Sequence, residues 1–128
     1  MNWQGSLDSG RGYADTEALG AALRALVAQG LDRLPLPGGG QTLERFRRLA
    51  DVAAHDLRLC KLFEGHTDAL AIMAELGSPP MPQGSTWGTW AAEPPTAKVR
   101  VQNDGHCLRV HGRKAWCSGA AVVSHGLL

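Results

Sequence analysis

Residues 77–85 read GSPPMPQGS, a stretch holding three prolines and two glycines. Proline removes a backbone donor and stops a helix from continuing, so no regular element crosses this stretch. It separates two parts with different hydrophobic periods. Before it, apolar residues recur at spacings of three and four. After it they alternate or run in short blocks. Period decides which residues share a face, so the switch predicts helices followed by strands. The expected fold class is α+β, an N-terminal helical domain followed by a partial antiparallel β domain. The boundaries are a tail over residues 1–15, a helical domain over 16–77, a connector over 78–84 and the β part over 85–128.

In the helical part, residues 16–29 predict a first helix. Asp15 or Thr16 caps it, because either side chain accepts a bond from an orphan N–H. Leu19, Ala22, Leu23, Leu26 and Val27 make its apolar stripe. Gly30 stops it. The stretch LDRLPLPGGGQT, residues 31–42, is a loop. A second helix starts after Thr42, its expected cap, with Leu43, Phe46, Leu49, Val52 and Ala53 as its buried face. Arg45, Arg47, Arg48 and Asp51 lie largely off that face. His55-Asp56 marks a break, and Asp56 caps a third helix through Leu57, Cys60, Leu62 and Phe63. Gly65-His66 reads as a kink or second break before an apolar helix over 67–76.

The strand candidates are 85–92, 97–102, 107–111, 114–118 and 121–128. Asp104-Gly105 lies between the second and third, and both residue types tolerate the backbone of a tight hairpin turn.

Charge narrows the function classes. The chain has 13 basic and 12 acidic residues, a net charge of +1. A dedicated nucleic-acid binder would show a basic excess, and so would a polybasic membrane anchor. No apolar run approaches the roughly 20 residues that span a bilayer. The N-terminus lacks a basic region followed by an apolar run. Three cysteines, Cys60, Cys107 and Cys117, do not make an even disulfide set and read as reduced thiols. The expected location is the cytoplasm.

Few motifs carry chemistry on their own. PGGGQT, residues 37–42, is glycine-rich before a helix, but it lacks the Gly-Lys-Ser/Thr element of a phosphate loop and reads as a connector. His106, Cys107, His111 and Cys117 lack the paired ligand spacing of a zinc site, so no metal is expected. Glu64, Asp68 and Glu75 suit a solvated helix flank, as His55 and His66 suit a helix surface or core edge. No catalytic residue is assigned. Trp87, Trp90 and Trp116 crowd into the strand part. Tryptophan offers a flat apolar face with one donor, which suits either a small β core or a planar aromatic ligand.

The order of the segments resembles the acyl-CoA dehydrogenase family. LVAQGLDRLPLPGGG looks like that family's first helix and Gly-rich proline loop. LADVAAHDLRLCKLFEGHTDALAIMAELGS looks like its helix-break-helix. Residues 90–94, WAAEP, resemble the strand that ends in Thr-Glu-Pro, with Ala92 in place of the threonine. Residues 112–120, GRKAWCSGA, resemble the Gly-x-Lys-x-Trp-x-Thr/Ser-x-Gly/Ala segment. The family's Gly-Ser after Glu-Pro is replaced here by residues 95–98, PTAK.

The resemblance implies an FAD cofactor and an acyl-CoA substrate that loses hydrogens from Cα and Cβ. It places Trp116 against the flavin ring, Ser118 at the ring's polar edge, and Trp90 and Ala92 along the flavin through side chain or backbone. In that family the catalytic base and half the cofactor pocket belong to a C-terminal helical bundle. The chain therefore reads as the N-terminal portion of such an oxidoreductase, inactive as this fragment. The implied partners are the acyl-CoA in the full-length context and a second copy in a homo-oligomer, with no nucleic acid and no membrane. The alternative is a non-catalytic remnant or interaction module with a helical core and no cofactor.

Overall fold

The computed structural model describes residues 14–128; of the tail assigned to residues 1–15, positions 1–13 lie outside the described residues. The architecture is α+β. Helix α1 spans Thr16–Ala28, α2 Thr42–His55 and α3 Leu57–Glu75. Strand β1 spans Trp87–Thr89, β2 Val99–Asn103, β3 Leu108–Gly112 and β4 His125–Leu127.

Helix α1 forms as its local chemistry predicts. Asp15 is extended, and its carboxylate accepts the Ala18 N–H at 2.8 Å. Leu19, Leu23 and Leu26 are buried, and Gly30 exits the helix at φ +70°. Asp56 begins α3 in the same way, accepting from the Arg58 and Leu59 N–H groups at 2.7 and 3.1 Å. Helix α2 has Gln41 at its N-cap position with no side-chain cap bond, and Thr42 lies inside the helix, so the expected Thr42 cap is not formed.

The buried face of α2 differs from the expected one. Leu43 and Phe46 are each 60% exposed, whereas Arg45 is 6% exposed. The inward row is Arg45, Leu49 and Val52. Burying a charge is costly unless it is paired. Arg45 meets that condition: it donates to Asp68 Oδ1 at 2.9 Å and to the Pro35 carbonyl at 3.2 Å. It ties α2 to α3 and to the α1–α2 loop.

Helix α3 runs unbroken through Gly65-His66, against the expected kink. Both residues are buried, and both meet β1. Thr89 Oγ1 donates to the Gly65 carbonyl at 2.8 Å. His66 is fully buried between two partners. The sequence placed it on a helix surface or core edge, but tertiary contacts hold it inside.

The main core joins Leu19, Leu23 and Leu26 of α1, Val52 of α2, Leu59, Leu62 and Phe63 of α3, and Val122 of the loop before β4. Gly20 lets that loop close on α1: a Cβ there would stand 2.7 Å from Val122 Cβ.

The strands form two pairs, and not one antiparallel sheet. Strands β2 and β3 make the expected antiparallel hairpin, with Val101 opposite Val110. Its turn is held by Asp104, whose carboxylate accepts the His106 and Cys107 N–H groups, and by Gly105 at φ +86°. Strands β1 and β4 instead pair in parallel, Gly88 opposite Gly126. A parallel pair needs a long return connection, usually a helix. Here the β2–β3 hairpin and the loop that follows supply it. Thr86 and Ser124 fix the start of the pair: each backbone N–H donates to the other's hydroxyl, at 2.9 and 3.1 Å. Residues 114–118, expected as a strand, are irregular, and of 121–128 only His125–Leu127 is a strand. Among the described residues no helix is long and apolar enough to cross a membrane.

Candidate functional site

A cavity of about 260 Å³ opens between the middle of α3, the β1 segment and residues 116–123. Lys61, Leu62 and Gly65 border it from α3. Trp90, Ala92, Trp116 and Ser118, the four residues singled out in the sequence, all line it.

The cavity wall is built from β1 outward. Trp90 continues the β1–β4 pairing, its N–H donating to the Leu127 carbonyl at 2.9 Å. Its indole lies across Gly88 and Gly126, which face each other in register. A Cβ on Gly88 would come within 2.6 Å of the ring, and one on Gly126 would overlap it. The paired glycines are therefore a floor for the indole. The other end of the ring is anchored as well, Nε1 donating to the Ser118 carbonyl at 3.1 Å.

A second link joins the same two segments. Lys114 Nζ donates to the Ala92 carbonyl, and at 3.5 Å to the Ala115 carbonyl. Residues 114–118 are thus held against 90–92 at both ends. Trp116 lies between these links with φ +57°, a conformation that non-glycine residues adopt sparingly. Its side chain is 68% exposed. Among the described residues no hydrogen bond engages the Trp116 indole or the Ser118 hydroxyl. Gly119 turns the chain at φ +77°, where a Cβ would strike Leu62.

Behind the cavity, His66 joins three segments. Its Nδ1 accepts the Trp87 N–H at 3.1 Å, which places the ring proton on Nε2. Nε2 faces Asp32 Oδ2 at 3.1 Å. The α1–α2 loop, α3 and the first residue of β1 are thereby fixed to one imidazole. Trp87 also stacks on His125, its register partner, with centroids 4.5 Å apart and planes 18° from parallel. Its Nε1 donates to Ser85 Oγ at 2.8 Å.

Chemically, the cavity pairs one free indole face and one free hydroxyl with a largely uncharged wall. Among the described residues that border it there is no aspartate or glutamate; Lys61 is the charged one, and it bridges to Glu64 at 2.8 Å. Cys60, on the same helix, donates to the Leu49 carbonyl at 3.5 Å, and burial pushes its thiol further from ionisation. Among the described residues no group of three histidine, cysteine or acidic side chains could hold a metal ion.

Sequence reasoning missed the glycine floor, the Lys114 link and the His66 bridge. Lys114 stood within a quoted motif, so its position was visible but its carbonyl partner was not. Gly88 and Gly126 gave no signal, because their role depends on a parallel register between distant segments. No family model matches the chain, and neither a curated protein nor a solved structure matches it.

Proposed function

We propose that the cavity accepts a planar heteroaromatic ring, a flavin, and that the chain serves as the N-terminal portion of an FAD-dependent acyl-CoA dehydrogenase-like oxidoreductase. One observation carries this reading: Trp90 and Ala92 from one segment, and Trp116 and Ser118 from another more than 20 residues later, border one cavity. The residues fit the group. The exposed Trp116 indole offers a stacking face, and the Ser118 hydroxyl offers a hydrogen bond to a polar ring edge. Small-molecule pockets run from roughly 300 Å³ upward, so about 260 Å³ suits a ring system better than a whole dinucleotide. The resemblance assigns the remaining contacts, and the base, to a C-terminal helical bundle. A bound FAD supplies the electron sink for hydrogen removal from Cα and Cβ of an acyl-CoA. The residues of this chain orient the ring and shield one side of it from water.

The test is a titration of the 128-residue chain with riboflavin and with FAD, following flavin fluorescence. The expected result is quenching by the wild type. Trp116→Ala should weaken binding by about 1–3 kcal/mol, by analogy with base stacking on aromatic side chains. Ser118→Ala should weaken it by about 0.5–1.5 kcal/mol, the worth of one neutral hydrogen bond. One observation favours the rival reading, an interaction module without cofactor. Trp90 is bound at its backbone N–H and its Nε1 and rests on two glycines, as a structural tryptophan would be. Equal quenching by wild type and both variants would decide for that module.

A further inference from the structure

The β2–β3 hairpin stands clear of the rest of the fold. Every residue of β3 is exposed, and in β2 only Val99 is half-buried. The two strands pair with each other from Val99–Gly112 to Asn103–Leu108. Among the described residues no other backbone hydrogen bond reaches 99–103 or 108–112. Each strand of a two-stranded ribbon keeps one outer edge of unpaired N–H and C=O groups, a template for another strand.

Strand alternation sorts the side chains sharply. Val99, Val101, Leu108 and Val110 share one face; Val101, Leu108 and Val110 are 63%, 67% and 61% exposed. Arg100, Gln102, Arg109 and His111 share the other. Residues 98–114 hold five lysines and arginines against Asp104 alone, a net +4 in a chain of net +1. Asp104 is engaged already, accepting turn N–H groups and pairing with Arg109 at 3.4 Å.

We propose that an outer edge of this hairpin takes up an extended acidic peptide segment as a third strand, its carboxylates alternating with aliphatic residues. The partner's main chain satisfies the open edge. Its carboxylates lie beside the arginine face, and its aliphatic side chains extend the valine–leucine face. Peptide addition to a sheet edge gains affinity from the main chain and specificity from alternate side chains. Charge argues against a second copy as the occupant, because two such edges would set like charges side by side. Duplex nucleic acid also fits a two-stranded ribbon. It is disfavoured by Asp104 at the ribbon's tip and by a whole chain with almost no net positive charge.

The experiment uses fluorescence anisotropy with labelled ten-residue probes on the whole chain. One probe alternates glutamate and valine; a second has the same composition in two blocks; a third alternates lysine and valine; a fourth is a labelled DNA duplex. The alternating acidic peptide should bind best, and amide exchange should slow at 99–103 or 108–112 on binding. The double variant Arg100→Glu/Arg109→Glu, with its fold checked by circular dichroism, should lose about tenfold in affinity for that peptide. That is the size expected when two attractive cross-strand contacts become repulsive. The same variant should gain affinity for the lysine probe. Equal binding of the alternating and block peptides would overturn the proposal. So would preference for the duplex, self-association through the hairpin in the absence of peptide, or no binding at all.

Discussion

Trp90 and Trp116 border the same cavity under different constraints. Trp90 is held by three fixed points, its backbone N–H, its Nε1 and the bare surface of Gly88 and Gly126. Gly126→Ala should therefore displace the indole. Overpacking of this kind costs about 1–3 kcal/mol. The urea midpoint should fall, and tryptophan emission should shift to the red as the ring moves toward water. An unchanged midpoint and spectrum would show that the ring has room. Trp116 is 68% exposed, and among the described residues nothing hydrogen-bonds its side chain, so little packing depends on it. Trp116→Ala should leave the midpoint within about 0.5 kcal/mol of the wild type, the usual range for a surface change. A larger loss of stability would make it a core residue after all. The sequence could not separate these two tryptophans. Their difference rests on contacts with residues 88, 118 and 126, and spacing does not report such contacts. The four cavity residues came from the order of segments in a resemblance. Residue chemistry alone favoured a core role over a ligand role.

At the scale of elements, what was legible was local. The cap and stripe of α1, the Asp56 cap and the hairpin turn each depend on residues within one turn of chain. What was not legible was long-range. Arg45 is buried with Asp68, on another helix, as its partner; the parallel β1–β4 pair starts where Thr86 and Ser124, 38 residues apart, interlock. The Asp56 cap has a pH signature. The Arg58 guanidinium first, and then the Leu59 and Arg58 N–H groups, hold its carboxyl down from the ordinary 3.8 to about 2, against the opposing pull of burial. A depressed folded pKa gives stability that is full above the unfolded value and lost as pH falls. The contribution of Asp56 should thus be complete above about pH 5 and fade toward pH 2. Asp56→Ala should cost about 1 kcal/mol at neutral pH, the usual worth of an N-cap. The gap between variant and wild type should close as denaturation is repeated at lower pH; a constant gap would refute the assignment. Asp104, lowered likewise to about 2 by the Cys107 and His106 N–H groups, titrates over the same window in both proteins and cancels in the comparison. Gly65 gives a prediction of opposite sign. It sits in mid-helix, and an added Cβ would meet only the Thr89 nitrogen, at an ordinary 3.6 Å. Alanine is favoured over glycine in a helix by about 1 kcal/mol. Gly65→Ala should therefore raise the midpoint by about 0.5–1 kcal/mol, and a loss would mean that β1 packs too tightly on α3 to admit a methyl group.

For the whole molecule, α3 and the β1 segment form a wall, and the exposed Trp116 borders the cavity beside it. Such a wall can orient a flat ring. Removing a proton from Cα of an acyl thioester requires more, a base within hydrogen-bond reach of that proton. Among the described residues that border the cavity none is an aspartate or glutamate, and Lys61 is bridged to Glu64. Binding and turnover should therefore separate in this chain. Incubated with FAD, acyl-CoA esters of short, medium and long chain and an artificial electron acceptor, it should reduce the acceptor no faster than FAD alone. Flavin fluorescence, read in the same mixtures, should still report the ring at Trp116. Acceptor reduction above the FAD blank, abolished by Trp116→Ala, would show that the 128 residues hold a base of their own and would overturn the division of labour argued here.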